Sequence, residues 1–256
     1  MLKSLFSAFL MYSRIPAPQV EWKEENRRYA LGFFPLIGAV ICAMEILWYK
    51  LADYLSAGAF LYSAIAVFLP VLVTGGIHID GFCDVTDARA SYADTKKRLD
   101  ILSDPHIGSF AVINLSMYFL IQTALFSQVS RLSDVITIGL GYVLSRALSG
   151  FSAITFKSAK KEGTLQSFVL PSHRKITLAM EVFYIILSFL LMSCFGVVRG
   201  ALCLIAALAV LFYCKKTAYR DFGGITGDVC GWFLQLCELF ILAVVVFYDL
   251  ITEVVL

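Results

Sequence analysis

Six or seven apolar runs, each long enough to cross roughly 30 Å of hydrocarbon, govern what this chain can fold into. They lie at about 30–50, 57–75, 108–127, 135–154, 176–196, 200–214 and 232–251. In lipid every backbone amide and carbonyl needs a partner inside its own segment, so such runs form helices. The composition agrees, with 59% apolar residues, 16% charged residues and a mean hydropathy of +0.80. The expected fold is all-α: a polytopic integral membrane helical bundle of about six to seven transmembrane helices, with residues 1–256 as one domain. The sixth run is short, and is expected to tilt less or to sit where the bilayer thins. Residues 2–13 are expected to form an amphipathic helix at the interface rather than a cleaved signal, because Arg14 and Pro16 follow at once.

Charge orients the bundle. Of 21 Lys and Arg residues, 17 fall before residue 30 or within 76–107, 155–175 and 215–231, and only Lys50, Arg131 and Arg199 fall in the opposite connections. Positive residues stay on the cytoplasmic side, so the N-terminus and the three long polar segments are assigned there. The lipid bilayer is thus the expected environment, and a net charge of +2 gives no argument for nucleic acid. The seven cysteines form no C-x-x-C pair and read as small buried hydrophobes, with Cys83 set apart by its acidic neighbours.

The chemistry concentrates in Gly75-Gly76-Ile77-His78-Ile79-Asp80-Gly81-Phe82-Cys83-Asp84-Val85-Thr86-Asp87. At about 100° per residue, positions 80, 84 and 87 share one helix face within roughly 60°. Three stacked carboxylates repel unless a cation lies among them, and their oxygens suit a hard divalent ion that also prefers phosphate. Glycines at 75, 76 and 81 permit tight turns and close approach to a phosphate. His78 is either a substrate contact or an ordinary loop histidine. In Asp104-Pro105-His106-Ile107-Gly108, Asp104 has the form of an N-cap, and it and His106 are candidates to approach an anion at the helix start. Lys96, Lys97 and Arg98 read as a solvated basic face, with pairing to a nucleotide as the alternative, and Lys157, Lys160, Lys161, Arg174 and Lys175 as a lipid-facing basic loop, with substrate steering as the alternative.

Gly223-Gly224-Ile225-Thr226-Gly227-Asp228 opens the last span on the same side and suits a second half of a metal–phosphate site, with Gly224 and Gly227 near substrate. Arg146, Glu45, Glu181 and Glu238 are ionisable groups inside spans, which require partners or a cavity. Arg146 either pairs with Glu238 or contacts a phosphate, and Glu181 is expected to reach the cytoplasmic interface.

The three motifs, in order and at these spacings, resemble the cobalamin synthase family, the adenosylcobinamide-GDP ribazoletransferases. Ser13-Arg14-Ile15-Pro16-Ala17-Pro18 and Phe34-Pro35-Leu36-Ile37-Gly38 are similar to that family's start. The resemblance implies a Mg²⁺-dependent enzyme of the cytoplasmic (inner) membrane with its active site facing the cytoplasm. Its substrates would be a corrinoid nucleotide and α-ribazole or its 5′-phosphate, and its products the completed cobalamin and GMP. A homo-oligomer is compatible with this reading. Asp80, Asp84, Asp87 and Asp228 match the family's acidic positions and would hold the metal. Asp84 or Asp87 would take the acceptor's proton, and Arg146 would offset transition-state charge. His78, Gly81, Asp104, His106, Gly224 and Gly227 would meet substrate. Two alternatives remain: a membrane transferase of the CDP-alcohol phosphotransferase type, and an ion-coupled transporter, which would place its ligands at the bilayer midplane.

Overall fold

The computed structural model describes residues 1–255, and the folded part is helical apart from one isolated bridge between Ser158 and Ile225. The chain opens with α1 (Leu2–Tyr12) and the short α2 (Glu24–Arg27), then enters α3 (Phe34–Tyr54) through Pro35 in its first turn. Next come α4 (Ala59–Thr74), α5 (Ile77–Ala90) and α6 (Thr95–Ile101). The remaining elements are α7 (Ser109–Phe126), α8 (Leu132–Thr155), α9 (Thr164–Val169), α10 (Arg174–Ser193), α11 (Val197–Asp221) and α12 (Gly227–Val255). Six helices among the described residues are individually long and apolar enough to cross a membrane, and the count is seven only when α4 and α5, bent by 96°, are taken together as one span. The expected polytopic helical bundle is therefore the observed fold.

Helix α8 is the axis of the bundle. It packs against α3, α10 and α12, and nearly all of Asp134–Ile154 is buried. The outer helices turn apolar side chains outward instead: Leu120 on α7 and Phe212 on α11 are 71% and 69% exposed. Such residues suit acyl chains, which are as apolar as the side chains themselves.

Some local expectations need correction. The sixth run is not short: α11 has 25 residues, because Lys215, Lys216 and Arg220 continue its last turns beyond the apolar stretch. Asp104 is not the cap of α7, which begins at Ser109 with Gly108 before it. Glu181 does not reach the interface. It is fully buried against Gly150 of α8, and its carboxylate, like that of Glu45, has no hydrogen-bond partner.

The turn between α4 and α5 positions everything that follows. Gly75 and Gly76 both take left-handed backbone, with φ of 67° and 81°, where a Cβ would be strained. They swing α5 by 96° away from α4. Instead of continuing the crossing, α5 lies over the starts of α7 and α12 at the end of the bundle.

Candidate active site

Helix α5 carries Asp80, Asp84 and Asp87 as the spacing required, and crosses the first turn of α12 closely enough to bring Asp228 to the same place. Gly81 makes that crossing: a Cβ there would come within 2.8 Å of the Asp228 carbonyl oxygen. Its role is thus helix contact rather than phosphate approach. Asp228 is fixed from its own side, since Thr226 Oγ1 accepts the Val229 amide at 3.2 Å and donates to Asp228 Oδ2 at 3.2 Å.

Asp80, Asp84 and Asp228 line one open cavity of about 880 Å³. Asp104 and His106 stand on its rim, joined by a 2.7 Å contact between His106 Nδ1 and Asp104 Oδ1. The His106 amide also donates to Asp104 at 3.0 Å, and this holds the Asp104 carboxyl below its ordinary range. On α5, which lies outside the spanning segments, burial and then Asp80, Asp228 and Asp87 push Asp84 up to about 7. Burial and then Asp84, Asp80 and Asp87 raise the Cys83 thiol to about 11, so it lines the cavity as a neutral group.

Asp87 is used differently. Its Oδ2 accepts the Gly108 amide at 2.6 Å and its Oδ1 the Ala111 amide at 2.8 Å, so it caps α7 from another helix. This is the capping function that the sequence pattern assigned to Asp104.

Arg146 is absent from the cavity wall. It is 1% exposed, and its Nη1 donates to Glu238 Oε1 at 2.7 Å and to the Tyr142 carbonyl at 2.9 Å. Of its two sequence readings, the ion pair is the one the fold builds, and the catalytic assignment is corrected accordingly. Gly224 is also displaced from substrate: it packs against the backbone of Lys157–Ala159 beside the Ser158–Ile225 bridge. Gly227 is exposed and borders a second, enclosed cavity together with His78, Asp80 and Asp228. His78 is buried and neutral, its pKa lowered by burial and then by Arg146.

Three basic residues behave otherwise than the sequence suggested. Arg98 is not a solvated charge but donates to Asp221 at 2.8 Å, where Arg89 and Arg220 also converge. Asp221 thereby ties the α11–α12 turn to α5 and α6. Lys160 is not lipid-facing: its Nζ meets Ser103 Oγ at 3.0 Å, and it lines a small cavity with Asp228. Arg14, unremarked as a site residue, lies on the wall of the open cavity against Gly75. Its position depends on a long-range contact, the Arg14 amide donating to the Val73 carbonyl at 2.7 Å.

The donor set can be tested against a hard divalent cation. No group of three or more His, Cys, Asp or Glu among the described residues converges on a single point as the side chains stand. Asp80, Asp84 and Asp228 nevertheless offer only carboxylate oxygens to one cavity, and their crowding adds to burial in raising Asp84. The chemistry of this set fits Mg²⁺, with side-chain rotation needed to close the shell.

No solved structure matches the chain. An adenosylcobinamide-GDP ribazoletransferase of Lachnoclostridium phytofermentans is 44% identical over 241 residues, covering 93% of this chain and 91% of that protein. Proteins of the same name from Clostridium botulinum (strain Alaska E43 / Type E3) and Geobacillus sp. (strain WCH70) are 33% and 31% identical. Each of these matches covers 93% of this chain, and 95% and 94% of the respective relative. Residues 4–246 match the family described as cobalamin-5-phosphate synthase, and the chain belongs to that family.

Proposed function

We propose that the open cavity beneath α5 is the active site of a Mg²⁺-dependent adenosylcobinamide-GDP ribazoletransferase on the cytoplasmic face of the inner membrane. The observation that carries this reading is the shared lining of one cavity by Asp80, Asp84 and Asp228, drawn from two helices that cross at Gly81. Family membership supplies the reaction class, and the 17 basic residues on one side of the bundle support the orientation.

In this reading a hydroxyl oxygen of α-ribazole or its 5′-phosphate forms a bond to the cobinamide-bearing phosphorus. The bond from that phosphorus to GMP breaks, and the hydroxyl proton passes to a cavity carboxylate. Asp84 suits the acceptor role by its place on the cavity wall beside Asp80 and Asp228. Asp80, Asp84 and Asp228 would hold Mg²⁺, which when bound neutralises pyrophosphate and leaving-group charge. Asp87 acts on their geometry by pinning α5 to the start of α7. Arg14 and Lys160 bring positive charge to the cavity rims, which suits a diphosphate.

Membranes carrying the protein, supplied with adenosylcobinamide-GDP, α-ribazole 5′-phosphate and Mg²⁺, should release GMP and the completed corrinoid. Asp84→Asn should release neither. Product from both proteins would remove Asp84 from the chemistry, and no product from intact wild type would defeat the reading.

A further inference from the structure

The enclosed cavity beside the acids has a different character from the open one. It measures about 250 Å³, and its walls include Tyr12, Phe34, His78, Ala153, Cys230 and Leu234. Neither Lys nor Arg lines it, so it has no cationic side chain for a phosphate, and its polar lining beside Tyr12 is His78, Ser149, Thr164 and the Asp80 and Asp228 it shares with the open cavity. His78 is 6% exposed, its Nε2 has no hydrogen-bond partner, and its ring lies 5.6 Å from that of Phe34. Pockets walled by aromatic and aliphatic side chains with a few placed polar groups suit flat organic rings.

The two cavities meet. Met11, Ile77, Asp80 and Asp228 line both of them. A nucleoside whose base fills the enclosed cavity therefore presents its sugar at Asp80 and Asp228, beside the place where a pyrophosphate would lie. We propose that the enclosed cavity is the base-binding half of the acceptor site, taking an aromatic nitrogen heterocycle with few polar edge atoms while the open cavity takes the nucleotide-activated donor. This rests on the ribazoletransferase reading and adds to it the location and chemistry of acceptor recognition.

The rival occupant is the donor's own guanine. Its edge carries several donors and acceptors, more than Ser149, Thr164 and the free His78 nitrogen can meet while Asp80 and Asp228 face the sugar, and each one left unpaired costs about 1–3 kcal/mol. The acceptor base lacks most of these groups and suits the wall better. In this arrangement the acceptor hydroxyl enters the open cavity at the Asp80–Asp228 junction, its oxygen bonding to phosphorus as the bond to GMP breaks and its proton leaving to Asp84 of that cavity.

The test is equilibrium dialysis of α-ribazole against detergent-purified full-length protein, with GMP as competitor, alongside steady-state KM values for both substrates. Wild type should bind α-ribazole without donor, and GMP should not displace it. Ala153→Phe, which fills the cavity, should weaken α-ribazole binding and raise acceptor KM by about tenfold or more, leaving donor KM within about twofold. Ser149→Leu fills the same space from another position and should do likewise if Ala153→Phe fails to fold, folding being followed by thermal unfolding. Displacement by GMP, or a raised donor KM with acceptor KM unchanged, would assign the cavity to guanine and overturn the proposal. Wild type that turns over while the filled variants keep normal acceptor KM would overturn it too, leaving the ribazoletransferase reading intact. Wild type that forms no product would instead defeat that reading.

Discussion

Asp87 and Gly108, 21 residues apart, are joined by a 2.6 Å hydrogen bond from the Gly108 amide to the Asp87 carboxylate. With the Ala111 amide on its other oxygen, this aspartate closes the N-terminus of α7 while holding the helix that bears Asp80 and Asp84. The acid that ends a conspicuous acidic motif is thereby a structural clamp, and a helix N-terminus favours its negative charge.

Asp87 and Asp80 should separate by stability. Asp87→Ala leaves two α7 amides without acceptors and should cost about 1–2 kcal/mol, read as a lowered unfolding temperature in detergent, along with reduced activity. Asp80 is exposed to the cavity, so Asp80→Asn should leave that temperature nearly unchanged while kcat falls by about two orders of magnitude.

Asp84 sets a pH dependence with a definite sign. Without a cation its pKa rises from the ordinary 3.8 to about 7, so between those values the folded chain holds a proton that the unfolded chain has released. This contribution to stability is present at low pH and lost as pH rises through about 7. The cation-free protein should therefore lose stability between pH 5 and pH 8 relative to Asp84→Asn, and Mg²⁺ affinity should weaken as pH falls below about 7 because protons compete for the same oxygens. Thermal unfolding with and without chelator across pH measures both.

The buried pair of Arg146 and Glu238 should matter for folding. Glu238→Gln leaves the Arg146 charge uncompensated, with an expected cost of about 3–5 kcal/mol. Replacing both with apolar residues, Arg146→Met with Glu238→Leu, should recover most of that loss. If Arg146 touched phosphate, the double variant would be stable yet inactive, with donor KM greatly raised.

Arg14 and Lys160 bring positive charge to the cavity borders, Lys160 while it donates to Ser103. Arg14→Gln and Lys160→Gln should each raise donor KM by about tenfold, with less effect on acceptor KM and little on thermal unfolding. Equal effects on both substrates would place the diphosphate elsewhere.

Much of this was readable from local pattern. Apolar length specified the spanning helices, and the four- and three-residue steps from Asp80 to Asp84 to Asp87 put all three acids on one face of α5. Glycine content marked the α4–α5 turn at positions that do take left-handed backbone. What escaped depends on contacts remote in sequence. Asp87 is a cap only because α5 folds back over α7, Arg98 is neutralised only because Asp221 arrives 123 positions later, and Lys160 joins the site only through Ser103. The length of α11 was misjudged because Lys215 and Lys216 resemble a loop, whereas a helix protruding from the membrane carries charge readily.

The central claim, that Asp80, Asp84 and Asp228 together hold a divalent cation, is tested most directly by Mn²⁺ titration of the purified protein, following free Mn²⁺ by electron paramagnetic resonance. The account predicts a saturable site in wild type, displaced by Mg²⁺ and lost in the Asp80→Asn, Asp84→Asn and Asp228→Asn variants with their fold retained. Mn²⁺ binding undiminished in all three variants would contradict it.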